Sequence, residues 1–148
     1  MSNSNYNLTP VKELVKVLNG GIEFYKEAKT KVSSQSLEII FDRMISEKER
    51  AAAELQPLVV LDEGEVETDN DFMVSLRETY TKVLSVISTD KEHTYISQLE
   101  EVEDRVLEKI EAALEEPLPA PYFSTLKLIQ NSMQACHDEM KALQEVTA

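Results

Sequence analysis

The chain of 148 residues contains Gly 3, Pro 5, Cys 1 and Trp 0. So few glycines and prolines leave little material for the tight turns of an all-β fold, and a single cysteine, Cys136, excludes an intramolecular disulfide. Nowhere does the roughly 18-residue apolar run of a membrane helix occur. The opening residues Met1-Ser2-Asn3-Ser4-Asn5-Tyr6-Asn7 lack the basic start and apolar stretch of a signal peptide, so the cytoplasm is the expected location. Positive charge is scarce as well: Lys+Arg 15 against Asp+Glu 28 gives a net charge of -13. A field of that sign repels phosphate backbones and anionic headgroups, which excludes nucleic acid and membrane surfaces as expected partners.

What is abundant is material for helices. Hydrophobic residues make up 42%, and Glu, Lys, Leu and Ala recur throughout, a composition that favours long helices. The length fits one domain able to bury its own core, so residues 1–148 read as a single all-α unit with 1–8 as a flexible tail. Thr9-Pro10 reads as an N-cap followed by an N1 proline. Leu14, Leu18, Gly21, Tyr25, Ala28 and Val32 then share one face of a first helix over about 10–32. Ser33-Ser34-Gln35-Ser36 interrupts it, and Leu37, Phe41, Met44, Ile45, Ala52, Leu55 and Val59 mark a second helix ending near Leu61.

The short connection makes those two helices antiparallel. A charged loop, 62–68, precedes an amphipathic stretch from Asp71 to Ile87 that predicts a crossover helix. At 1.5 Å per residue it is about 25 Å long, enough to bring the chain back along the bundle. The third long helix should then run parallel to the second. Thr89-Asp90-Lys91-Glu92 has the form of a capping box for that third helix. Pro117-Leu118-Pro119-Ala120-Pro121 ends it, and a fourth helix runs to about Val146 with Tyr122, Leu126, Ile129, Met133, Cys136, Met140 and Leu143 inward. Cys136 on this stripe reads as a packing thiol rather than a nucleophile.

Two charged residues fall on the wrong faces for solvent. Projection at about 100° per residue sets Glu103 roughly 35° from the centre of the face formed by Leu99, Val102, Val106 and Ile110. The same projection sets Lys48 within about 30° of the line through Phe41, Ala52 and Val59. A buried ammonium needs a partner, and Glu103 is the obvious one; the alternative is that Lys48 snorkels to the bundle edge beside Glu47 and Glu49. His137 lies at the flank of the fourth helix's apolar face. With the Tyr25 hydroxyl, a network of Tyr25, Lys48, Glu103 and His137 is expected at mid-height.

Several short segments resemble a bacterial ferritin-like family of four-helix-bundle proteins of unknown function. They are Leu18-Asn19-Gly20-Gly21-Ile22-Glu23-Phe24-Tyr25-Lys26-Glu27-Ala28, Ala53-Glu54-Leu55-Gln56, Glu100-Glu101-Val102-Glu103-Asp104 and Cys136-His137-Asp138-Glu139. The resemblance spans about Leu8 to Leu143 and implies a ferritin-like four-helix bundle with the crossover between the second and third long helices. Di-iron members of that superfamily carry a Glu on each of two helices and a Glu-x-x-His on each of the other two. Glu103 and His137 match the third- and fourth-helix positions. The second-helix motif instead reads Glu47-Lys48-Glu49-Arg50, and the fourth, Gln134-Ala135-Cys136-His137, offers an amide where a carboxylate belongs. Glu23 is the nearest first-helix match, yet it projects away from Leu14, Gly21 and Val32, towards solvent.

Tight sites for divalent metals ordinarily use at least three protein ligands, and only Glu103 and His137 stand as inward ligands. His93 lies about 15 Å from Glu103 along the same helix. No cofactor or metal is therefore expected. The favoured reading is a non-catalytic ferritin-like protein, acting through its surface as a self-associating or stress-related binding module. The alternative is an oxidoreductase or iron-handling protein that binds iron or another divalent metal through Glu47, Glu103, His137 and Glu23. A third reading places a small ligand beside Gly21. Phe72, Tyr80 and Leu84 of the crossover offer a surface compatible with a homodimer.

Overall fold

The computed structural model describes residues 6–64 and 91–147, and all regular structure among them is helical. Four helices appear: α1 (Thr9–Lys31), α2 (Gln35–Glu63), α3 (Lys91–Leu114) and α4 (Ala120–Thr147). The expected crossover from Asp71 to Ile87, its dimer residues Phe72, Tyr80 and Leu84, the Thr89-Asp90 start of the capping box and most of the expected N-terminal tail lie outside the described residues.

Local chemistry sets each boundary. α1 starts one residue earlier than the Thr9 N-cap predicts. Leu8 occupies the cap position, its carbonyl accepting from the Lys12 N–H at 3.0 Å, while the Asn7 side-chain oxygen accepts from the Thr9 N–H at 3.1 Å. Pro10 follows in the first turn, where its missing N–H costs nothing. Val32 is extended and ends α1. Ser34 then caps α2, its hydroxyl oxygen accepting from the Leu37 N–H at 3.3 Å. α2 continues past Leu61 to Glu63 because Gly64 adopts φ 84°, a left-handed conformation that closes the helix with a 2.8 Å bond from its N–H to the Val60 carbonyl. At the α3–α4 corner the Pro119 carbonyl accepts from the N–H groups of Tyr122 and Phe123 at 2.9 and 3.0 Å.

α1 packs on α2 and α3, and α4 packs on α3 and α2, so α2 and α3 face each other diagonally across the core. Paired residues give the directions. Ser33 reaches Glu92 at one end of α1, and Gly21 abuts Val102 further along, so α1 and α3 are antiparallel. Because α1 is antiparallel to α2 through a short turn, α2 and α3 run the same way. Gln144 meets Ser97 and His137 meets Asp104, so α4 is antiparallel to α3. The buried interior draws on all four helices, from Leu14 and Leu18 through Phe41 and Leu55 to Val106, Ile110, Leu126 and Met140. No helix among the described residues is long and apolar enough to cross a membrane.

Candidate functional site

The apolar stripes that build the bundle also carry three polar side chains into its centre. Tyr25 on α1, Lys48 on α2 and Glu103 on α3 each have 0% of their surface exposed. Lys48 sits among the buried Phe41, Met44, Ile45 and Ala52, and Glu103 among Leu99, Val102, Val106 and Ile110. Its four-carbon stem lets Lys48 span the diagonal between α2 and α3, placing Nζ 2.5 Å from Glu103 Oε2. The Tyr25 hydroxyl donates to the same oxygen. Glu103 Oε1 is buried without a hydrogen-bond partner among the described residues.

The tyrosine serves the cluster twice. Lys48 Nζ lies 5.0 Å from the centroid of the Tyr25 ring, within cation–π range. The edge-to-face contact of that ring with Phe41, 5.6 Å between centroids, fixes its orientation. Burial, followed by the negative charge of Glu103, pushes the Tyr25 hydroxyl well above its ordinary pKa of 10.0, so it stays protonated as a donor. Cys136 is buried nearby, and its thiol is pushed up to about 11, chiefly by burial. A thiol raised in this way carries little thiolate near neutral pH.

Gly21 lets α1 approach α3 closely at Val102, beside the stem of Lys48. A Cβ at this position would lie 3.0 Å from Val102 Cγ1 and 3.5 and 3.6 Å from Cδ and Cε of Lys48. The expected ligand space beside Gly21 is thus filled by the lysine stem and the valine. Gly21→Ala would gain about 1 kcal/mol of helix propensity, but Val102 is β-branched, buried and stiff. Overpacking a tight core costs roughly 1–3 kcal/mol, so we expect a net loss of about 1 kcal/mol in urea unfolding. A Gly21→Ala variant more stable than wild type would mean that Val102 and Lys48 move aside freely.

His137 does not join this cluster, contrary to the four-residue network expected from the sequence. Its ring turns along the α3–α4 seam, where Nε2 lies 3.0 Å from Glu100 Oε2 and 2.7 Å from Asp104 Oδ1. The reason is rotational: His137 flanks the α4 apolar stripe, and the neighbouring face of α3 presents a carboxylate at i and another at i+4. On the ring's other side Nδ1 is 3.4 Å from Asp138 Oδ1, a carboxylate that also accepts from the Gln134 amide at 3.0 Å. Burial lowers the His137 pKa, but the Asp138 contact and the charges of Asp104 and Glu100 outweigh it, and the net shift is upward. The Glu100 carboxyl is also raised, first by burial and then by the charge of Asp104.

The other residues weighed as metal ligands form no cluster of three among the described residues. Glu23 is exposed and lies 3.8 Å from Lys26 on its own helix. Glu47 is half-buried, and among the described residues its carboxylate makes no hydrogen bond with Lys48 or Glu103. Instead, α2 is tied to α4 by Arg43, whose Nη1 and Nη2 donate to the two carboxylate oxygens of Glu139 at 2.6 and 2.7 Å. Sequence reasoning missed Glu100 and Asp104. Their four-residue spacing was the available signal, but it marks a common solvated helix face as readily as a site.

Residues 8–116 match the model of a family described as a domain of unknown function, DUF2383. The match runs through α1, α2 and α3, and so includes Tyr25, Lys48, Glu100, Glu103 and Asp104 but not His137. No curated protein and no solved structure matches the chain.

Proposed function

The chain belongs to the DUF2383 family, whose description carries no activity, and from its interior we propose a ferritin-like bundle that works without a di-iron centre. In this reading the protein is a non-catalytic binding or interaction module, or a stress-related protein. The observation that carries it is the Lys48–Glu103 pair at the middle of the core, with Tyr25 on the same carboxylate oxygen. A cationic ammonium stands where a di-iron protein needs a cation-binding carboxylate set, and the Glu103 oxygen that faces it already accepts two donors. The antiparallel α1–α3 and α3–α4 pairs, with α2 and α3 running the same way, support the ferritin-like topology. Contacts with a partner would use the outer faces, where Ile39, Phe123 and Leu128 are exposed.

An oxidoreductase or iron-handling role through Glu47, Glu103, His137 and Glu23 is disfavoured because, among the described residues, no three of those four offer ligand atoms within 4.8 Å of one another. Aerobic oxidation of Fe(II), followed by absorbance, tests the proposal. The full-length protein is expected to leave the rate at that of buffer alone. Oxidation faster than buffer, with two irons retained per chain, would overturn it.

A further inference from the structure

Beyond that reading, we propose that Glu100, Asp104 and His137 form a single-ion site for a borderline divalent cation of the zinc class, on the α3–α4 seam and outside the core. Three ligand atoms, one from each residue, lie within 4.8 Å of one another. Such a cation is held at about 2.0–2.2 Å by imidazole nitrogen and carboxylate oxygen. In a tetrahedral arrangement the ligand atoms are then roughly 3.3 Å apart. The observed 2.7 and 3.0 Å separations from His137 Nε2 open to that spacing with shifts of a few tenths of an ångström, within side-chain reach.

The set has the chemistry of a cation site rather than of an acidic surface alone. The imidazole nitrogen is aimed between two carboxylates, and one nitrogen plus two oxygens suits zinc, cobalt or nickel better than calcium or magnesium, which take oxygen alone. Behind it, Asp138 faces Nδ1 and is itself held by Gln134, the outer-sphere arrangement that fixes an imidazole tautomer with Nε2 turned to a metal. The side chains of Glu100 and His137 are 15% exposed while that of Asp104 is 50% exposed, so the ion would sit in a recess with its fourth position open to solvent on the Asp104 side. Three protein ligands and one open position is the arrangement of an exchangeable or reactive zinc site, whereas structural zinc is closed by four.

The test is titration of chelator-stripped, full-length protein with Zn(II) by calorimetry and with Co(II) by visible absorbance. One ion per chain is expected, with a Co(II) spectrum of low coordination number. His137→Ala should weaken binding about 100-fold or more, since loss of an outer-sphere partner alone costs about 10–100-fold. Asp138→Asn should fall within that smaller range. Glu23→Gln, on an exposed turn of α1, should bind as wild type. Should His137→Ala fail to fold, Asp104→Asn takes its place, because that half-exposed residue is removed without opening the core. Absence of binding by the wild-type chain, or binding by the His137 and Asp104 variants equal to that of wild type, would reduce the trio to an ion pair between helices and overturn the proposal. Iron oxidation reads the core and this titration reads the seam, so failure of either is recognised separately.

Discussion

Glu103→Gln is expected to lower the free energy of unfolding by about 3–5 kcal/mol, the cost of leaving a buried charge without its counterion. Lys48 has no exposed surface through which to reach water, and its ammonium lies over the buried Tyr25 ring beside Glu103. An amide there is neutral, so the ammonium loses its compensating charge. The double variant Lys48→Met, Glu103→Leu removes both charges and should recover much of that loss, since an apolar pair of similar volume often equals or exceeds a buried ion pair. Urea unfolding of wild type, Lys48→Met, Glu103→Leu and the double variant gives the coupling energy directly. A Glu103→Gln chain that unfolds at the wild-type midpoint would mean that the carboxylate carries no buried charge.

Tyr25 separates the two ways in which an aromatic residue holds this layer. Tyr25→Phe keeps the ring on Phe41 and over Lys48 but deletes the hydroxyl that donates to Glu103. Hydrogen bonds to charged groups contribute about 1.5–3 kcal/mol, which is the expected loss. Tyr25→Ala deletes the ring as well, and large-to-small changes of a buried aromatic cost about 3–5 kcal/mol. Thermal and urea unfolding should therefore rank wild type above the Tyr25→Phe variant, and that variant above Tyr25→Ala, with the second step the larger. Equal stability of Tyr25→Phe and wild type would show that the hydroxyl donates nothing that water does not replace.

The helices were legible because their signals are local. Pro10, the serines at 33–36 and the Pro117–Pro121 run mark boundaries through backbone chemistry acting over a few residues, and the stripes on α1, α2 and α4 repeat often enough to survive single errors. The α2 end at Glu63 is set by one glycine, Gly64, whose left-handed conformation stops the helix there rather than near Leu61. Burial of Lys48 and Glu103 was legible for a related reason, because a charged residue in the centre of an apolar stripe is carried inward by its neighbours. Residues at a stripe's edge behave differently. His137 projects to the flank, where a rotation of a few tens of degrees chooses between core and seam, and nothing in α4 alone decides it.

Composition and periodicity were enough to place the four helices of the described residues to within a few positions and to carry two charges into the core, because burying apolar surface commits each helix to one face whatever it packs against. Which residues meet across helices depended on the packing itself. The diagonal reach of Lys48 past Gly21 to Glu103, and the capture of His137 by Glu100 and Asp104, follow from how α2, α3 and α4 are rotated and staggered. Those are relations between helices, and no helix encodes them alone.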